Sequence, residues 1–193
     1  MPLNIATASA TSWWWSIPRC AVKWKRLVGE MGYTKVRVII DGGDERVDST
    51  AAALDMLATA GIPDDAKILI HDAVRPFVEQ SAIDGSIDAL DQFTAATVAY
   101  ASTDTVLLTE DLGDLKVVKS VPDRPNTFRA QTPQSFRFAT IRHAYDLAAA
   151  TRTSIPPDDT RVVVDYLPDE PRRHCLRCGN QPEDHHAGRY SHS

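Results

Sequence analysis

Cysteine is scarce in this chain, and long apolar runs are missing. Three cysteines (Cys20, Cys175 and Cys178) among 193 residues are too few for a disulfide framework, so a reducing, cytoplasmic setting is the default expectation. No apolar stretch approaches the roughly 18 residues of a spanning helix, which argues against a membrane protein. The N-terminus lacks the basic-then-apolar pattern of a secretory signal. No Gly-x-Gly-x-x-Gly follows a strand-like run, which removes the dinucleotide-binding oxidoreductases. Internal repeats and low-complexity linkers are absent too. What remains is 43% hydrophobic and 24% charged, the composition of one globular domain with chain enough for its own core.

Charge is unevenly placed. Residues 1–40 carry six Lys+Arg against one acid, residues 41–115 three against sixteen, and residues 116–193 twelve against nine. An acidic middle of that kind disfavours nucleic acid as a partner, because a nucleic-acid footprint needs a continuous basic face. A small anionic ligand held with a metal ion fits better. The few basic residues inside the acidic stretch are costly exceptions.

From residue 32 onward, short β-branched runs alternate with helical stretches. Residues 35–40 read as a buried strand followed by the turn signal Asp41-Gly42-Gly43. Ser49 reads as a cap for a helix over residues 50–60, which Gly61 and Pro63 end. Residues 67–70 form a second strand that runs into His71-Asp72-Ala73-Val74-Arg75-Pro76. A helix over 80–92, a strand over 95–101 and a hairpin over 106–119 with its turn at 111–114 follow. Residues 138–151 read as a helix and 161–165 as a last strand. The alternation predicts a layered α/β sheet, in which ligands sit at the carboxyl ends of the strands. Residues 1–31 and 172–193 show no periodicity of either kind.

Several short motifs have the residue types for phosphate and metal chemistry. In the segment from Asp41 to Ser49, glycines permit close backbone approach and free amides plus a hydroxyl can read a base or phosphate. A strand-to-helix turn explains the same residues. Asp72 with Arg75 supplies a metal-binding carboxylate and a phosphate-binding guanidinium; an ion pair bracing a turn accounts for that spacing equally well. His71 reads as a satisfied structural histidine. Thr103-Asp104-Thr105 and Arg129 to Gln134 are rich in hydroxyls and amides, which is also turn chemistry.

Taken in order, these motifs resemble the cytidylyltransferases that make CDP-polyols, the ribitol 5-phosphate and 2-C-methyl-D-erythritol 4-phosphate enzymes. The resemblance covers residues 32–171. It rests on Gly42-Gly43-Asp44-Glu45-Arg46 with Asp48-Ser49, the segment His71 to Pro76, Asp104-Thr105, Pro122-Asp123-Arg124, the segment Gln131 to Phe136, and Asp158-Asp159. Val74 and the segment from Arg129 to Phe136 favour the ribitol type. The resemblance implies a three-layer, Rossmann-like nucleotidyltransferase sheet with a protruding β-arm at about 106–124 and the first βα unit missing. It implies that Gly43, Asp44 and Ser49 contact the cytosine ring, and that Asp72 meets the ribose and a Mg²⁺ ion. Ala73 and Arg75 then lie beside phosphates, Thr105 and Arg124 hold the polyol phosphate, and Thr132 completes the pocket. Arg124 comes from the β-arm of a partner subunit, so a homodimer is expected. The implied reaction is in-line attack of the polyol phosphate on the α-phosphorus of CTP with loss of pyrophosphate, catalysed by positioning and charge neutralisation.

Three departures bear on activity. The family's opening Gly-rich triphosphate loop and its following Lys have no counterpart in residues 1–31, and its closing Lys-Ile-Thr-Thr-Pro is absent from residues 172–193. Pro157 stands where the family has Thr. The chain is therefore expected to be inactive or nearly so; a non-catalytic dimerising remnant or polyol-phosphate-binding module is the alternative. Both ends read as translated out of frame. From the second nucleotide of each codon, residues 180–192 permit Asn-Leu-Lys-Ile-Thr-Thr-Pro-Asp-Asp-Ile-Arg-Ile, the family's ending, and residues 12–16 read from the third permit a run of valines. A rival reading takes the tail literally, with His174, Cys175, Cys178, His185 and His186 as Zn²⁺ ligands; a single Cys-x-x-Cys is a weak signal. The gene tests the frame reading. Its nucleotides for residues 172–193 should spell Lys-Ile-Thr-Thr-Pro in another frame, and nucleotides that cannot do so refute it.

Overall fold

The computed structural model describes residues 3–7, 11–16, 21–75, 77–151, 156–170 and 172–177. Five helices and nine strands follow in chain order: β1 (Leu3–Thr7), β2 (Thr11–Ser16), α1 (Ala21–Glu30), β3 (Val36–Asp41), α2 (Arg46–Thr59), β4 (Lys67–Asp72), α3 (Gln80–Ala89), β5 (Ala95–Ala101), β6 (Leu108–Leu112), β7 (Leu115–Ser120), β8 (Phe128–Arg137), α4 (Phe138–Thr151), α5 (Asp159–Tyr166) and β9 (Arg172–Arg177). A 3-10 turn over Arg124–Asn126 precedes β8.

Seven strands form one mixed sheet in the order β3-β2-β1-β4-β8-β5-β9, and β6 with β7 form a separate hairpin. Both β2–β3 and β5–β9 are parallel, whereas β4–β8 and β5–β8 are antiparallel. Neighbouring residues of a strand point to opposite faces, and β5 shows the consequence. Ala95 joins a large core with α2, α4 and α5, while Ala96 joins Ala89 and Leu90 of α3. The sheet therefore lies between two helical layers. The larger core is built on Leu54 and Leu57 of α2, Ile68 and Ile70 of β4, Phe136 of β8 and Ile141 of α4, each 0% exposed.

The structure departs from the sequence-based expectation at Ser49, at residues 161–165, at residues 129–134 and in the two terminal segments. Ser49 does not cap α2. The helix starts at Arg46 with Glu45 as its N-cap, because Asp48 accepts the Glu45 N–H at 3.0 Å and closes the end four residues earlier. Residues 161–165 are helical rather than a strand. Asp158 accepts the Arg161 N–H at 3.0 Å, Arg161 pairs with Asp165 at 2.7 Å, and Val162 and Val163 are buried in the core. Helix capping and packing override three consecutive β-branched residues.

Residues 129–134 are not turn chemistry after a strand but part of β8, where Arg129 and Ala130 pair with β5 and Gln134 pairs with both β5 and β4. The hairpin is as expected, with its turn tightened around Gly113, whose φ of 60° suits glycine. Residues 3–30 and 172–177, aperiodic in sequence, supply β1, β2, α1 and β9. Of the zinc reading, His174 and Cys175 lie on β9, whereas Cys178, His185 and His186 lie outside the described residues.

The best test of the packing is Phe136, which stands opposite both Ile68 and Ala95. Phe136→Ala should lower stability by about 3–5 kcal/mol. Urea unfolding should show this as a lower midpoint at an unchanged slope.

Candidate active site

The strand ends supply the frame. β3 ends at Asp41 and β4 at Asp72, so the two glycine- and arginine-bearing segments emerge on one side of the sheet. After β3 the chain turns sharply into α2. A Cβ on Gly43 would overlap the Asp48 side chain, so only glycine fits this turn. The Gly43 N–H donates to Ser49 Oγ at 3.1 Å, and the Ser49 hydroxyl donates to the Glu45 carbonyl at 3.2 Å. These groups fix the loop's shape, and Asp44 is exposed on it.

After β4 the chain makes a turn through Ala73, closed by the Arg75 N–H on the Asp72 carbonyl at 3.0 Å. Thr132 of β8, 9% exposed, ties this turn to the sheet. Its Oγ accepts the Asp72 N–H at 3.2 Å and lies 2.9 Å from His71 Nδ1. His71 Nε2 faces the Arg75 carbonyl at 2.7 Å. A carbonyl only accepts, so the neutral ring carries its proton on Nε2 and takes the Thr132 hydroxyl proton at Nδ1. His71 is thus a satisfied structural histidine, and the threonine hydroxyl is oriented at the strand end.

Asp72 is the centre of the cluster. Its Oδ1 lies 3.5 Å from Arg46 Nε and its Oδ2 lies 3.5 Å from Arg75 Nε. Arg46 reaches further, with Nη1 at 2.5 Å from Asp159 Oδ2 and 3.2 Å from the Pro157 carbonyl. Asp159 is fully buried, and its other oxygen accepts the Tyr145 hydroxyl at 2.6 Å. Burial pushes the Asp159 carboxyl upward against the pull of Arg46 and Tyr145. Burial alone would lower the Arg46 guanidinium, but Asp159 and Asp72 outweigh it and hold it above its ordinary value. Burial, then Asp159, raises the Tyr145 phenol far above its usual range, so it stays a donor. Behind this network, Gln134 of β8 donates to Asp158 at 2.5 Å and accepts the Thr160 N–H at 3.1 Å, docking the start of α5.

The structure therefore brings Asp72, Arg75 and Thr132 together, with Gly43 and Ser49 in the same turn of chain as Arg46. Thr105 and Arg124 form a second pair, Arg124 Nη2 donating to the threonine hydroxyl at 3.2 Å. They are seated by the Ser102 N–H on the Thr127 carbonyl at 2.8 Å. Thr127 lies five residues before Thr132, roughly 16 Å along the strand. Roles for Arg46, Gln134, Tyr145 and Asp159 were not evident from sequence. One signal pointed at Arg46: the acidic middle holds only Arg46, Lys67 and Arg75 as cations, and each meets a carboxylate.

Among the described residues no three His, Cys, Asp or Glu converge as a metal cage. A Mg²⁺ ion at a nucleotide site is held by one or two carboxylates and the substrate's phosphates. Asp72, a strand-end carboxylate between two guanidiniums, fits such a role, and the guanidiniums and hydroxyl suit phosphate oxygens.

Residues 22–167 match the family of 2-C-methyl-D-erythritol 4-phosphate cytidylyltransferases (IspD). The chain belongs to this family. It is 91% identical over 154 residues to the 2-C-methyl-D-erythritol 4-phosphate cytidylyltransferase of Bifidobacterium longum, covering 80% of this chain and 53% of that protein. It is 35% identical over 145 residues to a bifunctional ribulose 5-phosphate reductase/CDP-ribitol pyrophosphorylase of Haemophilus influenzae, covering 75% of this chain and 29% of that one. Among solved structures it is similar to 4-diphosphocytidyl-2C-methyl-D-erythritol synthase from Anaerococcus prevotii, with a TM-score of 0.69 at 26% identity over 83% of this chain and 66% of that one. The chain thus has the Rossmann-like fold of its family, and it spans about half the length of the Bifidobacterium relative.

The buried pair makes a stability prediction. Asp159→Ala leaves Arg46 facing Asp72 alone and should cost about 3–5 kcal/mol, read as a fall in the urea midpoint. A loss under about 1 kcal/mol, the level of an exposed pair, would contradict the buried-pair description.

Proposed function

We propose that the site transfers a cytidylyl group from CTP to 2-C-methyl-D-erythritol 4-phosphate with release of pyrophosphate. The carrying observation is Asp72 at the end of β4, with a guanidinium on each carboxylate oxygen and the Thr132 hydroxyl beside its backbone. The ribitol preference read from Val74 and the Arg129–Phe136 segment is set aside. The relative at 91% identity is named for methylerythritol phosphate, whereas the CDP-ribitol pyrophosphorylase stands at 35%.

In this reading Asp72 holds the Mg²⁺ ion, which when bound neutralises phosphate charge. The turn at Gly43 and Ser49, with Asp44 exposed on it, receives the cytosine. Arg75, half exposed, and Ala73 lie beside phosphate oxygens, and Arg124 with Thr105 takes the polyol phosphate. The protein's share is to hold two phosphates in line and supply positive charge, with no covalent intermediate required. The hairpin carries exposed Leu112, Leu115 and Val118, which supports its burial in a homodimer, where Arg124 would serve the partner's site. Residues 1–31 offer no Gly-rich triphosphate loop, so turnover is impaired. Removing a single donor to developing charge is worth roughly 10²–10³ in rate, and this loop supplies several.

Pyrophosphate release from CTP and Mg²⁺, with each polyol phosphate in turn, tests the reading. The expected rate lies at least roughly 10²-fold below that of the Bifidobacterium relative. Binding titrations should rank 2-C-methyl-D-erythritol 4-phosphate above ribitol 5-phosphate. A rate equal to the relative's refutes impairment, and tighter ribitol 5-phosphate binding refutes the substrate assignment.

A further inference from the structure

A wholly buried carboxylate and a largely buried guanidinium lie beneath Asp72. The Arg46 side chain is 19% exposed and Asp159 is wholly buried. Each is unfavourably placed on its own account. Arg46 stands in the first turn of α2, where a cation opposes the helix dipole, and a buried carboxylate is costly unless paired. The two coincide at one contact. The Arg46 fork also meets two further oxygens, the Pro157 carbonyl ahead of α5 and Asp72 Oδ1 at the end of β4. One side chain therefore joins α2, the start of α5 and the tip of β4. Arg75, the other guanidinium on Asp72, is 49% exposed and comes from the adjoining turn.

We infer that Arg46 and Asp159 are positioning residues: the buried Asp159–Arg46 pair, steadied by Tyr145, sets the Asp72 carboxylate that receives metal and nucleotide. Neither contacts substrate. The inference rests on the reading of Asp72 given above. The guanidinium shape matters, because Nε faces one carboxylate while Nη1 faces the other, and a lysine, being a point charge, cannot span both. Outer-shell partners of this kind typically alter metal affinity by about 10–100-fold when removed.

The test uses the full chain and CTP as the probe, with affinity measured by calorimetry in Mg²⁺ and in a chelator. Arg46→Lys keeps the charge against Asp159 and should reduce the Mg²⁺-dependent gain in CTP affinity about 10-fold or more. In an Asp72→Asn background the same change should cost nothing further, since the effect passes through that carboxylate. A full Mg²⁺-dependent gain in Arg46→Lys, or independent losses in the double variant, overturns the inference. Tyr145→Phe removes only the hydroxyl behind Asp159 and should lower the same gain by a smaller factor. It decides the matter if Arg46→Lys does not fold, and an unchanged gain counts against the inference.

Absence of Mg²⁺-dependent CTP binding in the unmodified chain would instead defeat the proposed function. Positioning is then read without ligand. The Arg46 Nε–H resonance should shift in Asp72→Asn and exchange faster with solvent in Asp159→Asn. A resonance indifferent to both overturns the inference.

Discussion

The ion pair between Arg46 and Asp159 is the contact on which the rest of the site depends. A fully buried carboxylate holds its place only with a cation and a further donor, and here Arg46 and the Tyr145 hydroxyl supply them. The arrangement couples elements that are far apart in sequence. Arg46 opens α2, Tyr145 lies on α4, and Asp159 opens α5. Asp72 then meets the same guanidinium from β4. Desolvation makes the geometry demanding, because a small displacement of α5 would leave a charge without its partner in a place water does not reach.

The hydrophobic core and the polar cluster are two sides of one packing problem. Ile68 and Ile70 of β4 are buried against α2, α4 and α5, which sets the strand's height relative to those helices. The next residues outward, His71 and Asp72, emerge where α2 and α5 begin. β8 locks this register from the other side. Its Phe136 packs in the core, Gln134 docks α5, and Thr132 receives the Asp72 amide. Three residues at alternate positions along one strand thus join core, helix and site.

Much of this was legible in the sequence where a local rule decides. The strand over 95–101 and the helix over 138–151 came through with the bounds the structure has, because each is long, apolar and cleanly ended. The strand-end placement of the Gly43 and Asp72 segments followed from the α/β alternation. What escaped was non-local. Three valines in residues 162–164 read as a strand, and only capping at Asp158 with burial against the core shows them to be helical. β8 was hidden because one of its faces carries Thr132 and Gln134, buried polar side chains whose partners are tertiary. Asp159 looked like half of an acidic pair, since nothing nearby in sequence reveals that Arg46, over a hundred positions away, waits for it. Val74, from which a substrate preference was read, is 58% exposed.

Family membership and geometry converge on one surface, formed where β3 and β4 end. Chemical-shift mapping tests this most directly, with the nitrogen-labelled chain titrated with CTP and Mg²⁺. The largest shifts are expected at the amides of Gly43, Ser49, Asp72, Ala73, Arg75 and Thr132. Largest shifts on α3 or β9, with those six amides unmoved, would contradict the account.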